Sequence, residues 1–145
     1  MSVLVDTNVL LRRGDPTHLL NELAVNSVAK LLGSGEPVCF TMQNVSEFWN
    51  VATRPSENNG LGLPVEFVLE VVEDMDKEFI LLPDNAAVYE EWKSLVVRHK
   101  VLGSKVHDAK LVAAMHVHEV SQILTFNTTD FARYDVEALH PSSVL

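Results

Sequence analysis

The sequence contains one cysteine, Cys39, so it has no internal disulfide and no cysteine-based zinc cage. Cys39 stands in the run Pro37-Val38-Cys39-Phe40 and reads as a small buried residue. Positive charge is also scarce. Eleven Lys and Arg face 20 Asp and Glu, a formal net charge of −9, with a pI near 5.0. Such a surface repels a phosphate backbone overall and argues against a non-specific nucleic-acid binder. It leaves room for an enzyme with a local basic patch or bound cations. Long hydrophobic runs are missing: nothing approaches the ~20 apolar residues of a membrane span. No basic region precedes the first apolar segment. The expectation is a cytoplasmic protein that does not enter a membrane. Repeats, low-complexity tracts and linkers are absent too, so residues 1–145 are expected to form one domain. With 47% hydrophobic and 21% charged residues, the composition is that of a globular protein.

Along the chain, short apolar runs alternate with segments of helical periodicity. Val3 to Val5, Val38 to Thr41, Phe79 to Leu82, Gln122 to Phe126 and Val136 to Leu139 read as strands. Between them, helical spacing joins Leu20, Leu23, Ser27, Val28 and Leu31, with Gly33 and Gly35 as stops. It returns at Val45, Phe48, Trp49 and Ala52, and at Val65, Val68, Leu69, Val72 and Met75. Two further stripes run through Val88, Trp92, Leu95 and Val96 and through Leu111, Val112 and Met115. Nearly continuous apolar strands separated by helices predict an α/β fold with a parallel sheet covered on both faces.

Four acids interrupt this pattern where chemistry is expected. Asp6 ends the first apolar strand, and open parallel sheets place their sites outside the carboxyl ends of strands. A strand-capping turn through Asp-Thr-Asn is the competing reading. Asp108 lies three, four and seven residues before Leu111, Val112 and Met115, on the buried stripe of its helix; an N-cap is the ordinary alternative. Glu47 adjoins the stripe residue Phe48, with a capping box from Asn44 to Glu47 as its alternative. Asp130 follows an apolar strand in a polar turn, Asn127-Thr128-Thr129-Asp130. Two carboxylates ~4 Å apart repel by ~4 kcal/mol at an effective dielectric of 20. A pocket shared by four of them calls for cations. Oxygen donors without His or Cys suit Mg²⁺, or alternatively Mn²⁺.

The order DTNVLL, SEFWNV, VHDAKLVAA, ILTFNTTDF resembles the PIN-domain ribonucleases, in particular VapC-type toxins of prokaryotic toxin–antitoxin pairs. The resemblance covers nearly the whole chain. It implies a three-layer α/β/α sandwich with a central parallel sheet and Mg²⁺-dependent endonuclease activity on RNA. Carried over by motif, it assigns Asp6, Glu47, Asp108 and Asp130 as catalytic, with Asp6 and Asp108 as metal ligands. Asn8, Thr125 and Asn127 match supporting positions, and Asn127 competes with Asp130 for the last place facing the metal. The resemblance also implies a homodimer and a small antitoxin protein across the catalytic groove.

Basic residues near these motifs are candidate RNA contacts: Arg12 and Arg13 after the first motif, Lys105 and Lys110 around the third. The alternative is pairing with surface acids. The helices expected to begin near Thr17 and Pro64 carry more apolar residues than one buried stripe needs, including Leu19, Phe67 and Val71, which suggests an interface. Two other functions compete. A haloacid-dehalogenase-like phosphatase would need a second Asp two residues after the first, where Asn8 stands. A non-catalytic PIN or receiver-like binding domain would show only part of the acidic set.

Overall fold

The computed structural model describes residues 1–145. Five parallel strands form one sheet in the order β3-β2-β1-β4-β5: β1 (Val3–Val5), β2 (Val38–Thr41), β3 (Ile80–Leu82), β4 (Gln122–Leu124) and β5 (Glu137–Leu139). The register pairs Val3 with Val38 on one side of β1 and Leu4 with Ile123 on the other. Seven helices connect or cover the strands: α1 (Thr7–Arg13), α2 (Asn21–Gly33), α3 (Met42–Thr53), α4 (Val65–Glu78), α5 (Ala86–Arg98), α6 (Val106–Val117) and α7 (Pro141–Val144).

Alternation along the strands divides the core in two. Leu4, Cys39 and Ile123 face one side, where α5 and α6 pack through Val88, Leu95, Leu111, Val112 and Met115. Val3, Val5, Val38, Phe40 and Leu124 face the other, covered by α1 to α4 through Val9, Val28, Phe48, Ala52, Val68 and Met75. This is the expected three-layer α/β/α sandwich. Cys39 is buried, as its setting predicts.

The strand order decides where a ligand can bind. From β1 the chain moves outward through β2 and β3, then returns to place β4 and β5 on the other side of β1. Direction therefore reverses between β1 and β4, and in such sheets the crevice opens at their carboxyl ends. Asp6 and Thr125 are the first residues beyond those two strands.

Local boundaries differ from the sequence expectation in places. The segment after Asp6 is a helix, α1, that no apolar stripe marks, and β3 and β5 each begin one residue later than expected. The helix expected near Thr17 begins at Asn21; Asp15 accepts from the backbone N–H and hydroxyl of Thr17 (3.1 and 2.6 Å), and His18 Nδ1 accepts from Leu20 N–H (3.0 Å). These side-chain bonds favour a turn over a helix. Leu19, on that turn, is 90% exposed. Finally, β4 stops at Leu124: Thr125 N–H still donates to Leu139 O (2.9 Å) while its hydroxyl turns to Asp6, and Phe126 packs against the core.

Candidate active site

Asp6 has two structural tasks. It ends β1, its backbone N–H donating to Leu124 O (2.9 Å), and it is the N-cap of α1, with Oδ1 accepting from Thr7 N–H at 2.7 Å. The capping turn expected as an alternative is thus present, but it uses only one oxygen. Oδ2 accepts from the Thr125 hydroxyl (2.8 Å) and, more weakly, from Asn8 Nδ2 (3.4 Å). Asn8 also donates to Thr125 Oγ1 (3.2 Å) and accepts from Phe126 N–H (3.2 Å). Asn127 N–H donates to Thr125 Oγ1 at 3.0 Å. Asn8 and Thr125 therefore clip the end of β4 to the end of β1 and aim Asp6.

Glu47 is not part of a capping box. Thr41 is the N-cap of α3, and Asn44 is its reciprocal partner at the third helical position. Asn44 Oδ1 accepts from Thr41 N–H (2.8 Å) and its hydroxyl (2.9 Å). Its Nδ2 donates to Thr7 Oγ1 (3.1 Å), and the Thr7 hydroxyl in turn donates to Glu47 Oε1 (2.8 Å). One buried relay thus runs from the end of β2 through α1 to Glu47. Sequence reading missed Thr7 and misassigned Asn44. The available signal was periodicity: Asn44 falls four and eight residues before Phe48 and Ala52, on the apolar stripe, and is fully buried.

Asp108 lies in the first turn of α6, whose N-cap is Lys105, so the N-cap alternative for Asp108 does not hold. Asp130 lies on the short turn of helix Thr128–Phe131 after β4. Lys105 Nζ is 2.9 Å from Asp130 Oδ1. Asp6, Glu47, Asp108, Asn127 and Asp130 all line one cleft of about 340 Å³, together with Thr7 and Asn8.

The candidate RNA contacts are dispersed. Arg13 pairs with Glu78 and lies over the Phe79 ring, lining a cavity between α1 and α4 instead of the cleft. Lys110 pairs with Asp84 (3.2 Å) in a neighbouring hollow. Arg12, in the last turn of α1, does not line the cleft either. Lys105 alone of the four reaches an acid of the site.

The electrostatics are those of crowded carboxylates. Burial pushes the Asp6 carboxyl up to about 6, with Asp108 and Glu47 adding repulsion and the bonds from Thr125 and Thr7 pulling it back. Asp108 is raised by burial, then by Asp130 and Glu47, while Lys105 partly offsets this. No three acids or histidines converge into a ready-made metal cage. The donor set nevertheless fits a hard divalent cation, since Mg²⁺ is commonly held by one or two carboxylates plus water and substrate phosphate. Asp6 and Asp108, mutually repelling and open to the cleft, are the pair suited to that role.

Comparisons with known proteins agree with the fold. The model of the PIN domain family matches residues 3–137. A search of curated proteins finds no match. Among solved structures, VapBC-1 from nontypeable Haemophilus influenzae is similar at TM-score 0.72 and 13% identity, covering 98% of this chain and 99% of that one. FitAcB from Neisseria gonorrhoeae is similar at TM-score 0.64 and 20% identity, covering 97% and 98%. VapC20 from Mycobacterium tuberculosis, described as a sarcin-ricin loop cleaving toxin, is similar at TM-score 0.68 and 18% identity, covering 93% and 97%. With its sheet order, its acids at the β1/β4 switch point and a family match across most of its length, this chain belongs to the PIN domain family.

Proposed function

We propose that this protein is a Mg²⁺-dependent endoribonuclease, with Mn²⁺ as the alternative metal, and that it is the toxin of a toxin–antitoxin pair. The observation that carries the reading is the convergence of Asp6, Glu47, Asp108 and Asp130 on one cleft at the carboxyl edge of the sheet. Similarity in fold to VapC20, described as a sarcin-ricin loop cleaving toxin, supports the substrate class.

Asp6 and Asp108 would hold the cation. The bound metal supplies Lewis-acid stabilisation of charge on the phosphodiester and lowers the pKa of water. The rest is positioning by the chain. Asn8 and Thr125 orient Asp6. Thr7 fixes Glu47 by Oε1 and leaves Oε2 without a protein donor, so that Oε2 would align a water and accept its proton. Lys105 holds Asp130 at the rim, where phosphate can exchange for the carboxylate as its partner. The expected products carry a 5′ phosphate and a 3′ hydroxyl. The phosphatase alternative is disfavoured by Asn8, whose amide bonds Asp6, Thr125 and Phe126 in place of the second acid that chemistry needs.

A partner is supported by surface chemistry. On α4, Val65, Phe67 and Leu69 are exposed, as are Ile80 and Leu81 on edge strand β3. Phe67 and Val71 line a cavity of about 620 Å³ against Leu10, rimmed by Arg13, Asp74, Lys77 and Glu78. An apolar floor with charged edges suits a segment of a small antitoxin protein, and FitAcB and VapBC-1 are similar in fold. A homodimer is the second expected association.

The test is cleavage of defined RNAs by purified protein with Mg²⁺, Mn²⁺ or chelator, with end-mapping of products. Asp6→Asn and Asp108→Asn should each lose activity by 100-fold or more, on the order expected for losing metal-site charge stabilisation. Asp15→Asn, away from the cleft, should be silent. Wild-type activity in either cleft variant, or activity indifferent to chelator, contradicts the proposal.

A further inference from the structure

Beside the acidic cleft lies a second hollow of different character. It measures about 570 Å³ and is formed by α5 and the first turns of α6. Val88, Tyr89, Trp92 and Val106 supply its apolar walls, and Asp84, Asn85, His107 and Lys110 its polar rim. The Tyr89 and Trp92 rings stack with centroids 6.5 Å apart and planes 23° from parallel. Trp92 is held in place because its Nε1 donates to Val106 O at 2.9 Å. The rim contributes a carboxylate acceptor at Asp84 and a cation at Lys110, 3.2 Å apart and mutually compensating. Lys93 Nζ sits 4.5 Å from the Tyr89 ring centroid, a cation above an exposed aromatic face.

We propose that this hollow receives an unpaired nucleobase of the RNA that flanks the phosphodiester held in the cleft; this rests on the ribonuclease reading above. A nucleobase is a flat ring with a polar edge, and single-stranded RNA is bound by stacking bases on aromatic side chains while polar groups meet their edges. Pre-set rings below and donors and acceptors at the rim match that shape. Lys93 and Lys110 are each paired with a carboxylate, Glu90 and Asp84 at 3.2 Å, so the hollow adds no net charge and its affinity for a base rests on stacking and edge contacts. The hollow and the catalytic cleft share no lining residue, but they meet at the same turn of α6. His107 lines the hollow and Asp108 lines the cleft, and consecutive Cα atoms stand ~3.8 Å apart. Gln43 Nε2 donates to His107 O at 3.0 Å, tying this turn to α3. An RNA chain with a phosphate at Asp108 would therefore have an adjoining nucleotide within reach of the hollow.

The test reads binding, so it stands apart from cleavage. In an Asp6→Asn/Asp108→Asn background, Trp49→Phe leaves Trp92 as the sole tryptophan reporter. Two probes of equal charge are compared, a six-nucleotide oligoadenylate and an abasic ribose-phosphate chain of the same length. Trp92 fluorescence should report about tenfold tighter binding of the oligoadenylate, since one stacked base is worth ~1–3 kcal/mol. Tyr89→Phe should keep the difference and Tyr89→Ala should abolish it, with the abasic affinity unchanged. Equal affinity for the two chains, or binding of neither, overturns the proposal. So does sedimentation showing that Tyr89→Ala splits a dimer, because the hollow would then be an interface between copies. Loss of RNA cleavage in the separate assay bears on the nuclease reading alone.

Discussion

Asp6 must be buried and charged at once. Its carboxyl, raised to about 6, is ionised at neutral pH only at a cost of about 3 kcal/mol to the metal-free fold. Because the folded value lies above the ordinary one, the native state binds the extra proton, and stability should fall as pH rises from about 4 to 6. In chelator, Asp6→Asn should flatten that slope. It should also melt about 3 °C above wild type at pH 7.5, part of the gain being lost where the new amide faces Thr125 and Asn8. Calorimetry at pH 4, 6 and 7.5 checks this, and parallel pH profiles for the two proteins would refute it. Thr7 offers a second test at this scale. Thr7→Val removes the only tether on Glu47 and strands the buried Asn44 amide. Unfolding free energy should drop by ~1–3 kcal/mol. The kcat for RNA cleavage should drop roughly tenfold with KM little changed, as for a lost positioning contact. Thr7→Ser should restore both.

Elements with strong periodicity were legible from residues alone: β1 and β2 fall where their apolar runs lie, and α3 to α6 follow their stripes. Less legible were features decided by side-chain bonding or by distant contacts. The seven-residue α1 is too short to show a stripe, and Val9, Leu10 and Leu11 continue the apolar run of β1, so only the Asp6 cap marks the break. At α3, Thr41 and Asn44 both suit capping, and Asn44 serves the third position because Thr41 ends a paired strand. The acids themselves stood out as charges at strand ends or on a stripe. The relay through Thr7 did not, since it joins residues 37 and 40 positions apart. The loop after α3 carries no periodicity, yet it folds back on that helix: Leu61 and Leu63 N–H donate to Val51 and Ala52 carbonyls at 2.9 Å. Gly60 makes this possible, for a Cβ there would meet the Arg54 carbonyl oxygen at 1.9 Å. Gly60→Ala should therefore force the loop off α3, costing ~1–3 kcal/mol in chemical denaturation and leaving metal binding intact. A neutral substitution would show that the loop is not anchored.

Over the whole molecule, charge is arranged against itself. A chain with net charge −9 gathers four acids at the reversal point of its sheet, where Lys105 is the one cation paired with an acid of the site. Metal binding there would relieve that repulsion and so should couple to stability, because a ligand that binds only the native state raises its melting temperature by mass action. No helix is long and apolar enough to cross a membrane. The most direct measurement is the melting temperature in millimolar Mg²⁺ against that in chelator, for wild type and the Asp6→Asn/Asp108→Asn variant. At 100 times the dissociation constant the metal contributes about 2.7 kcal/mol, so wild type should rise by roughly 5–10 °C and the variant should not move. An equal rise in both proteins, or none in wild type, would contradict a metal site at the end of β1.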